Sequence, residues 1–328
     1  MENDRIKVAL LWGGRGRESE VSARGKDHIL PLIDQDRYDV LPIFIHKDGR
    51  WLAPDGEEVL PYRGGLYSQE GRLIFSPDCT LPLLHGDFGE DGRVQGALEC
   101  ADIPFVGCGV SAGAICRDKA VVKMIAASLG IPTLPFILAL RPEGMDFAVR
   151  SAEERLDYPM IVKPTSLGSS VGVGVAKCRD GLTDALTVAF ALSDRVIIEP
   201  YLCDKRELEC GYFSTKGKEI FTNPGEILLS GLYGYNEKYL SGDVSLALRA
   251  DIPADIAERV RDYSRRLVRA VGVRQLSRVD FLLSGEELYF NEINTMPGFT
   301  DGSLYAMMLE GVGITESRLL SMLIDGVG

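Results

Sequence analysis

LSRVDFLLSGEELYFNEINTMPGFT, residues 276–300, reads as two strands around a turn, with two acids and an amide gathered on one face. Val279, Phe281 and Leu283 alternate with Arg278 and Asp280, Ser284 and Gly285 supply the turn, and 288–294 returns as the second strand. A register centred near Glu286 sets Asp280 opposite Glu292 and Arg278 opposite Asn294, because side chains two apart on a strand share a face. Two carboxylates held that close repel unless a cation lies between them, and an all-oxygen set of Asp, Glu and Asn suits Mg²⁺ carrying nucleotide phosphates. The hairpin therefore predicts a magnesium-nucleotide enzyme. An edge hairpin with a solvated charged face is the competing expectation from this stretch alone.

The chain's bulk properties narrow the choice. At 328 residues it is too long for one ordinary core, so two or three domains packed into one body are expected. Hydrophobic residues make up 45% and charged residues 26%, a balance that supports folded cores and not disorder. A net charge of -12 without a basic stripe argues against a nucleic-acid partner, so an anionic ligand has to be met by a few placed cations. Seven cysteines, with no CxxC pair and no zinc-like spacing to the three histidines, predict reduced thiols. The opening, MENDRIKVALLWGG, passes from polar residues straight into a short apolar strand without the h-region of an export signal, and no apolar run reaches the length of a membrane span. A cytoplasmic protein with no membrane partner is expected.

Near the start, residues 6–12 read as a strand, 13–21 as a glycine-rich loop and 22–33 as a helix capped by Ser22. Strands at 40–45 and 81–84 and a helix at 92–100 continue the alternation, which implies a parallel sheet whose ligands meet the loops beyond the strands' carboxyl ends. Glu20 and His85 lie on such loops. A helix at 118–129, stopped by Gly130 and Pro132, opens a mixed layer with strands at 136–140, 160–164, 171–176 and 196–200 and a helix at 181–192. Antiparallel strands, a helix at 254–271, the hairpin and two terminal helices complete the chain from about residue 203. The expected fold class is α/β and α+β in three domains, 1–117, 118–203 and 204–328.

VKPTSLGSSVGVG (162–174) places Lys163 at a strand end before a loop of glycines and serines, which brings backbone N–H groups close around phosphate oxygens while the lysine adds a point charge. It is not a GxxxxGK[ST] loop, and a surface hairpin rich in turn residues is the other reading. GCGVSA (107–112) fits a relaxed dinucleotide pattern, but no acid stands at the ribose-binding spacing beyond it. Gly107 and Gly109 then read as an interdomain turn, and a dinucleotide-binding oxidoreductase is the remote alternative. In HGDFGEDG (85–92) the glycines suggest backbone against a ligand, with Asp91 capping the next helix, in preference to a metal site at His85, Glu90 and Asp91. Glu199 ends the strand VIIEP, where an acid either accepts hydrogen bonds from a ribose or an adenine amino group or faces water. The aperiodic stretch 228–250, LLSGLYGYNEKYLSGDVSLALRA, reads as a lid from which Lys238 and Tyr239 reach a bound phosphate and substrate.

Taken in order, these segments resemble the ATP-grasp superfamily and, within it, the D-alanine-D-alanine ligases. The likeness runs over nearly the whole chain: EVS (20–22), HGxxGEDG (85–92), the pair Asp118 and Lys119, VKPxxxGSSVG (162–172), RELE (206–209), YNEKY (235–239), SRVDF (277–281) and NEINTMPGFT (291–300). The resemblance implies an ATP-grasp fold with ATP between the central and C-terminal domains, and synthesis of D-alanyl-D-alanine for peptidoglycan through a D-alanyl phosphate. D-alanyl-D-serine synthesis, or another ATP-grasp amino acid ligase, stays open. By the same resemblance Lys119, Lys163, Ser170, Glu199 and Glu207 contact the nucleotide, and Asp280, Glu292 and Asn294 hold two Mg²⁺ ions, with Mn²⁺ as an alternative. Glu20 orients the ammonium of the first D-alanine together with Ser169 and Tyr239, and His85 lines that subsite. Arg278 and the backbone N–H of Gly298 stabilise an oxyanion, and Ser303 holds the carboxylate of the second substrate. A homodimer through the N-terminal domain is implied as well.

The chain departs from the family pattern in three places. The lid reads Leu232, Tyr233, Gly234, Tyr235 where the family has an aromatic residue and Tyr-Asp-Tyr, which leaves lid geometry and second-substrate preference open. Arg117 stands for the usual Met before the Asp-Lys pair and Met307 for a frequent Pro, both expected to lie away from the chemistry. Tyr239 is kept where D-lactate-using members carry His, which points to an amine nucleophile.

Overall fold

The structure is a computed structural model and describes residues 5–228 and 245–327. Val8 and Leu10 enter one hydrophobic core and Ala9 and Leu11 another, so β1 (Ile6–Gly13) is covered on both faces as a central parallel strand requires. It pairs in parallel with β2 (Tyr38–Ile45) and β7 (Cys79–Pro82). An antiparallel meander of short strands, β3 (Trp51–Leu52), β4 (Glu58–Tyr62), β5 (Gly65–Ser68) and β6 (Leu73–Phe75), extends the sheet beyond β2. The sequence reading holds no strands there, because elements this short carry too few residues for an alternation to show.

The helix expected at 22–33 begins earlier and runs Ser19–Ile29. Ser22 does not cap it. The Ser22 hydroxyl is buried, accepts from the Gly13 N–H at 2.8 Å and donates to the Leu83 carbonyl. That pair of bonds ties the helix to the carboxyl ends of β1 and β7 and so fixes the turn between Gly13 and Glu18.

The second sheet is antiparallel: β8 (Ile137–Leu140), β9 (Met160–Pro164), β10 (Gly174–Ala176) and β11 (Arg195–Pro200), in the order β10-β9-β11-β8. Helices Met145–Glu153 and Arg179–Leu192 seal one face over Met160 and Val162, which leaves Ile161 and Lys163 on the other. The strand expected at 171–176 shortens to β10 because Ser169, Ser170 and Gly172 take φ of 52°, 58° and 72°, a left-handed path no strand can follow.

In the third sheet β12 (Arg206–Thr215) lies at the centre, paired with β13 (Lys218–Phe221) and β14 (Gly225–Leu228) along one edge and with β16 (Leu276–Ser284) along the other, while β15 (Ser245–Ala247) and β17 (Glu287–Asn294) form the borders. Helix Ala254–Val271 covers it with Ile256, Val260, Leu267, Val268 and Val271, an apolar stripe at helical spacing, and ends at Gly272 with φ 78°. Tyr305 and Leu309 of helix Leu304–Glu310, with Leu319 and Leu323 of helix Glu316–Ile324, return to pack on Val8 and Leu10. Each fully buried Leu of that shared core contributes about 1.5–3 kcal/mol. Apolar burial therefore holds the first and third sheets in place relative to one another, and the cleft opens between them.

Candidate active site

Two cavities of about 560 Å³ and about 120 Å³ meet in the cleft and share Lys119, Ser169, Glu209, Arg278 and Glu292 in their walls. The hairpin has the register expected from its sequence, with Arg278 opposite Asn294 and Asp280 opposite Glu292. Beyond Asp280 the register shifts, so that Phe281 pairs with Phe290 and Asn291 is the additional residue of a β-bulge. As a result Asn291 and Glu292 both line the smaller cavity, while Phe290 and Ile293 both stay in the core. The Arg278 guanidinium grips Asp280 through two bonds, at 2.8 and 2.7 Å, and reaches Glu209 at 3.2 Å. Burial disfavours this cation, yet Asp280 and Glu209 more than offset it and hold its pKa well above the ordinary guanidinium value. With its amide turned as its neighbours require, Asn294 donates to Glu90 at 2.9 Å and accepts from Arg278 at 3.3 Å.

Lys119 reaches the same wall from the first turn of helix Lys119–Ser128, which Asp118 caps by accepting from Ala120 and Val121 at 3.0 and 3.2 Å. Its ammonium donates to the Leu167 carbonyl at 2.8 Å and pairs with Glu292 at 3.2 Å. Among the described residues no three His, Cys, Asp or Glu side chains gather as a metal site. The candidate set is two carboxylates and an amide oxygen, which suits Mg²⁺ because that ion is commonly held by one or two carboxylates plus phosphate oxygens and water. Asp280 and Glu292 face one another across the strands, and each already leans on a cation, Arg278 and Lys119.

In the larger cavity the structure corrects the expectation for Glu20. Glu18 is the acid that lines the cavity, and it accepts a hydrogen bond from the Ser169 hydroxyl, whereas Glu20 is exposed on the outer face of the first helix. The cause is the early helix start. Val21, Ser22, Gly25 and Ile29 form the buried face, and position 18, not 20, continues that spacing towards the cleft. Glu18 also fills the space over Gly86, where an added Cβ would lie 2.0 Å from its carboxylate.

The loop 85–92 presents His85 and Glu90 to this cavity. Glu90 accepts from the Gly86 N–H at 2.8 Å, and burial pushes its pKa up to about 7 against the pull of Arg117. Burial likewise lowers the pKa of His85, so the ring tends to stay neutral. Asp91 accepts from Phe88 N–H at 2.8 Å and Arg93 N–H at 3.1 Å, which braces the loop beside the helix start at Gly92. Arg117 and Met307, expected away from the chemistry, both line the cavity, and the Arg117 guanidinium lies 3.2 Å from Asp87 and 3.5 Å from Glu90. Gly298 and Ser303 are in the same wall, joined by a bond from the Ser303 hydroxyl to the Gly298 carbonyl.

Lys163, Ser170 and Glu207 line the smaller cavity, with Lys205 bonded to Glu207. The Glu199 side chain does not. It is fully buried, with its two oxygens 2.7 Å from Lys123 and 2.7 Å from Lys163, so it backs Lys163 and is not available to a ribose or adenine. Lys238 and Tyr239, with the lid departure at 232–235, lie outside the described residues. Gly107 and Gly109 form a turn between domains: Gly107 N–H donates to Gln275 at 2.6 Å, and a Cβ on Gly109 would lie 2.8 Å from the Glu99 carboxylate. No helix among the described residues is long and apolar enough to cross a membrane.

Residues 7–108 match the family described as D-ala D-ala ligase N-terminus, and residues 125–325 match D-ala D-ala ligase C-terminus. The D-alanine--D-alanine ligase of Deinococcus radiodurans is 40% identical over 327 residues, covering 96% of each chain. The crystal structure of D-alanyl-alanine synthetase A from Vibrio cholerae superposes with a TM-score of 0.89 at 30% identity, covering 98% of both chains. The VanG D-Ala:D-Ser ligase from Enterococcus faecalis superposes with a TM-score of 0.88 at 30% identity, covering 98% of this chain and 99% of that one. A three-sheet ATP-grasp fold around a cleft lined by the hairpin's acids and by Lys119 and Lys163 defines a class of ATP-dependent ligases. This chain belongs to the D-alanine-D-alanine ligase family.

Proposed function

We infer that this enzyme joins two D-alanines at the expense of ATP, supplying D-alanyl-D-alanine for peptidoglycan. The observation that carries the reading is the shared wall: Lys119, Arg278 and Glu292 border both cavities, so a group transferred from a ligand in one reaches a ligand in the other without leaving the cleft. ATP would lie in the smaller cavity, its phosphates against Lys119, Lys163 and Ser170 and its ribose near Glu207. Asp280, Glu292 and Asn294 would hold Mg²⁺, two ions by family likeness, or Mn²⁺; the metal neutralises phosphoryl oxygens when bound.

The chemistry follows from charge. A carboxylate is a poor electrophile, so an oxygen of the first D-alanine attacks the γ-phosphorus, ADP leaves, and an acyl phosphate forms. The amine of the second D-alanine then attacks the acyl carbon to form a tetrahedral oxyanion, which collapses to the amide as phosphate departs and the amine's proton is lost. Glu18, in place of Glu20, would orient the first ammonium with Ser169 and, from the lid, Tyr239, while Lys238 reaches a phosphate and His85 shapes the subsite. Arg278 and the Gly298 N–H would receive the oxyanion, and Ser303 the second carboxylate. Closure of 228–250 would keep water from the acyl phosphate. A cytoplasmic homodimer completes the proposal.

Phosphate release tests it: D-alanine alone should support Mg²⁺-dependent release, and a chain that hydrolyses no ATP with D-alanine would overturn the reading. The likeness to a D-Ala:D-Ser ligase favours one second reading, which predicts faster release when D-serine accompanies D-alanine. Substitution separates the two acids of the first helix region. Glu18→Gln should lower kcat/KM for D-alanine by about 10- to 100-fold, the worth of a hydrogen bond to a charged group. Glu20→Gln, on the surface, should stay within about twofold of the wild type. A larger loss for Glu20→Gln than for Glu18→Gln would return the role to Glu20.

A further inference from the structure

Lys123 carries its ammonium in the protein interior. It lies one turn beyond Lys119 on the helix Lys119–Ser128, with its side chain 1% exposed. The Lys123 ammonium pairs with one Glu199 oxygen at 2.7 Å and donates to the Phe290 carbonyl at 3.4 Å. The other Glu199 oxygen takes Lys163 at 2.7 Å, and of the three residues Lys163 alone lines the smaller cavity. The groups thus run ammonium, carboxylate, ammonium from the core to the cleft. Apolar side chains of similar size would fill the inner two positions at less desolvation cost, so the charges call for a reason.

Charge bookkeeping supplies one. Lys119 and Lys205, the other lysines in the wall of this cavity, are each matched by one carboxylate, Glu292 and Glu207. Of these three groupings only Lys123, Glu199 and Lys163 holds an excess cation, and the outermost member presents it. Remove Lys123 and Glu199 would cancel Lys163, leaving nothing net to attract a polyphosphate; remove Glu199 as well and Lys163 regains its charge. Burial pulls the Lys123 pKa below the ordinary lysine value while Glu199 opposes that pull, and Glu199, despite its own burial, is held at about 2 by the two ammonium groups.

We propose that Lys123 is a positioning residue for nucleotide binding: it neutralises Glu199, so that Glu199 anchors Lys163 without cancelling the charge that Lys163 offers to the phosphates. The inference rests on ATP occupying the smaller cavity.

Calorimetric titration of ATP into the wild type, Lys123→Met and Lys123→Met/Glu199→Gln, with EDTA and again with Mg²⁺, tests it. The single variant should bind ATP about tenfold more weakly, equivalent to about 1.4 kcal/mol. The double variant should return to within about twofold of the wild type, a rescue that a merely structural role would not give. The KM for D-alanine should not move. A single variant that binds like the wild type, as a neutral Lys123 would predict, or a double variant as weak as the single, overturns the proposal. Should Lys123→Met fail to fold, the double variant decides: affinity near the wild type supports the proposal and a tenfold loss overturns it. A wild type that binds no ATP would instead sink the nucleotide reading itself.

Discussion

Arg278→Met should lower kcat for D-alanine-dependent phosphate release by about 10²- to 10³-fold, the usual cost of losing one oxyanion donor. The guanidinium is fixed before any substrate arrives, by two bonds to Asp280 at 2.8 and 2.7 Å and a contact with Glu209 at 3.2 Å, so it needs no rearrangement as charge develops beside it. The same contacts mean that removing the cation leaves Asp280 and Glu209 facing one another, and breaking such a buried pair costs about 3–5 kcal/mol of stability. Arg278→Lys is therefore the companion variant: it keeps the charge, loses the planar fork, and should fall between the wild type and Met in rate while melting closer to the wild type. Steady-state kinetics beside thermal melts separate the two losses. A folded Arg278→Met enzyme with wild-type kcat would remove Arg278 from the chemistry.

The second large effect belongs to Glu292. Glu292→Gln keeps the side chain's shape and its contact with Lys119, 3.2 Å away in the wild type, so the hairpin should stay folded. Turnover should nonetheless disappear, because a neutral amide opposite Asp280 is a far poorer partner for a divalent cation and leaves the charge of Lys119 unbalanced. Mn²⁺ binding followed by electron paramagnetic resonance gives a readout independent of turnover and should weaken in parallel. Near-normal activity with unchanged Mn²⁺ affinity would take the metal away from this hairpin.

The parts of the site carried by strands were legible in the sequence, because period-two alternation assigns faces. The pairings Arg278 with Asn294 and Asp280 with Glu292 follow directly from it. Residues placed by a helix start or by buried charge were harder to see. Glu20 is expected in the cleft because the family likeness is carried on EVS (20–22) and a Ser22 cap leaves 13–21 in a loop, whereas the buried face through Val21, Ser22 and Gly25 points back to Glu18, which lines the cavity. A lysine on a helix ordinarily reads as solvent-facing, so nothing local marked Lys123 as the inner member of an ion chain that also withdraws Glu199 from the cavity. Arg117 reads only as a departure from the family pattern until the fold brings Asp87 and Glu90 against it. The meander at 51–75 left no trace beyond turn residues, since its strands are two to five residues long.

The bulge in the hairpin had a trace in the sequence, two polar residues, Asn291 and Glu292, between Phe290 and Ile293 where strict alternation allows one. It lets the strand run on two separate phases, one for the half near the turn and one for the half that carries the acids. With Asn291 present, a strand without the bulge would run on a single phase, so that either Leu288 and Phe290 rotate out to water or Glu292 rotates into the oil. Insertions at the Ser284–Glu287 bend carry no such penalty. The enzyme is thus free to vary at the tip of this hairpin, while near its base the extra residue has to be taken up by a bulge.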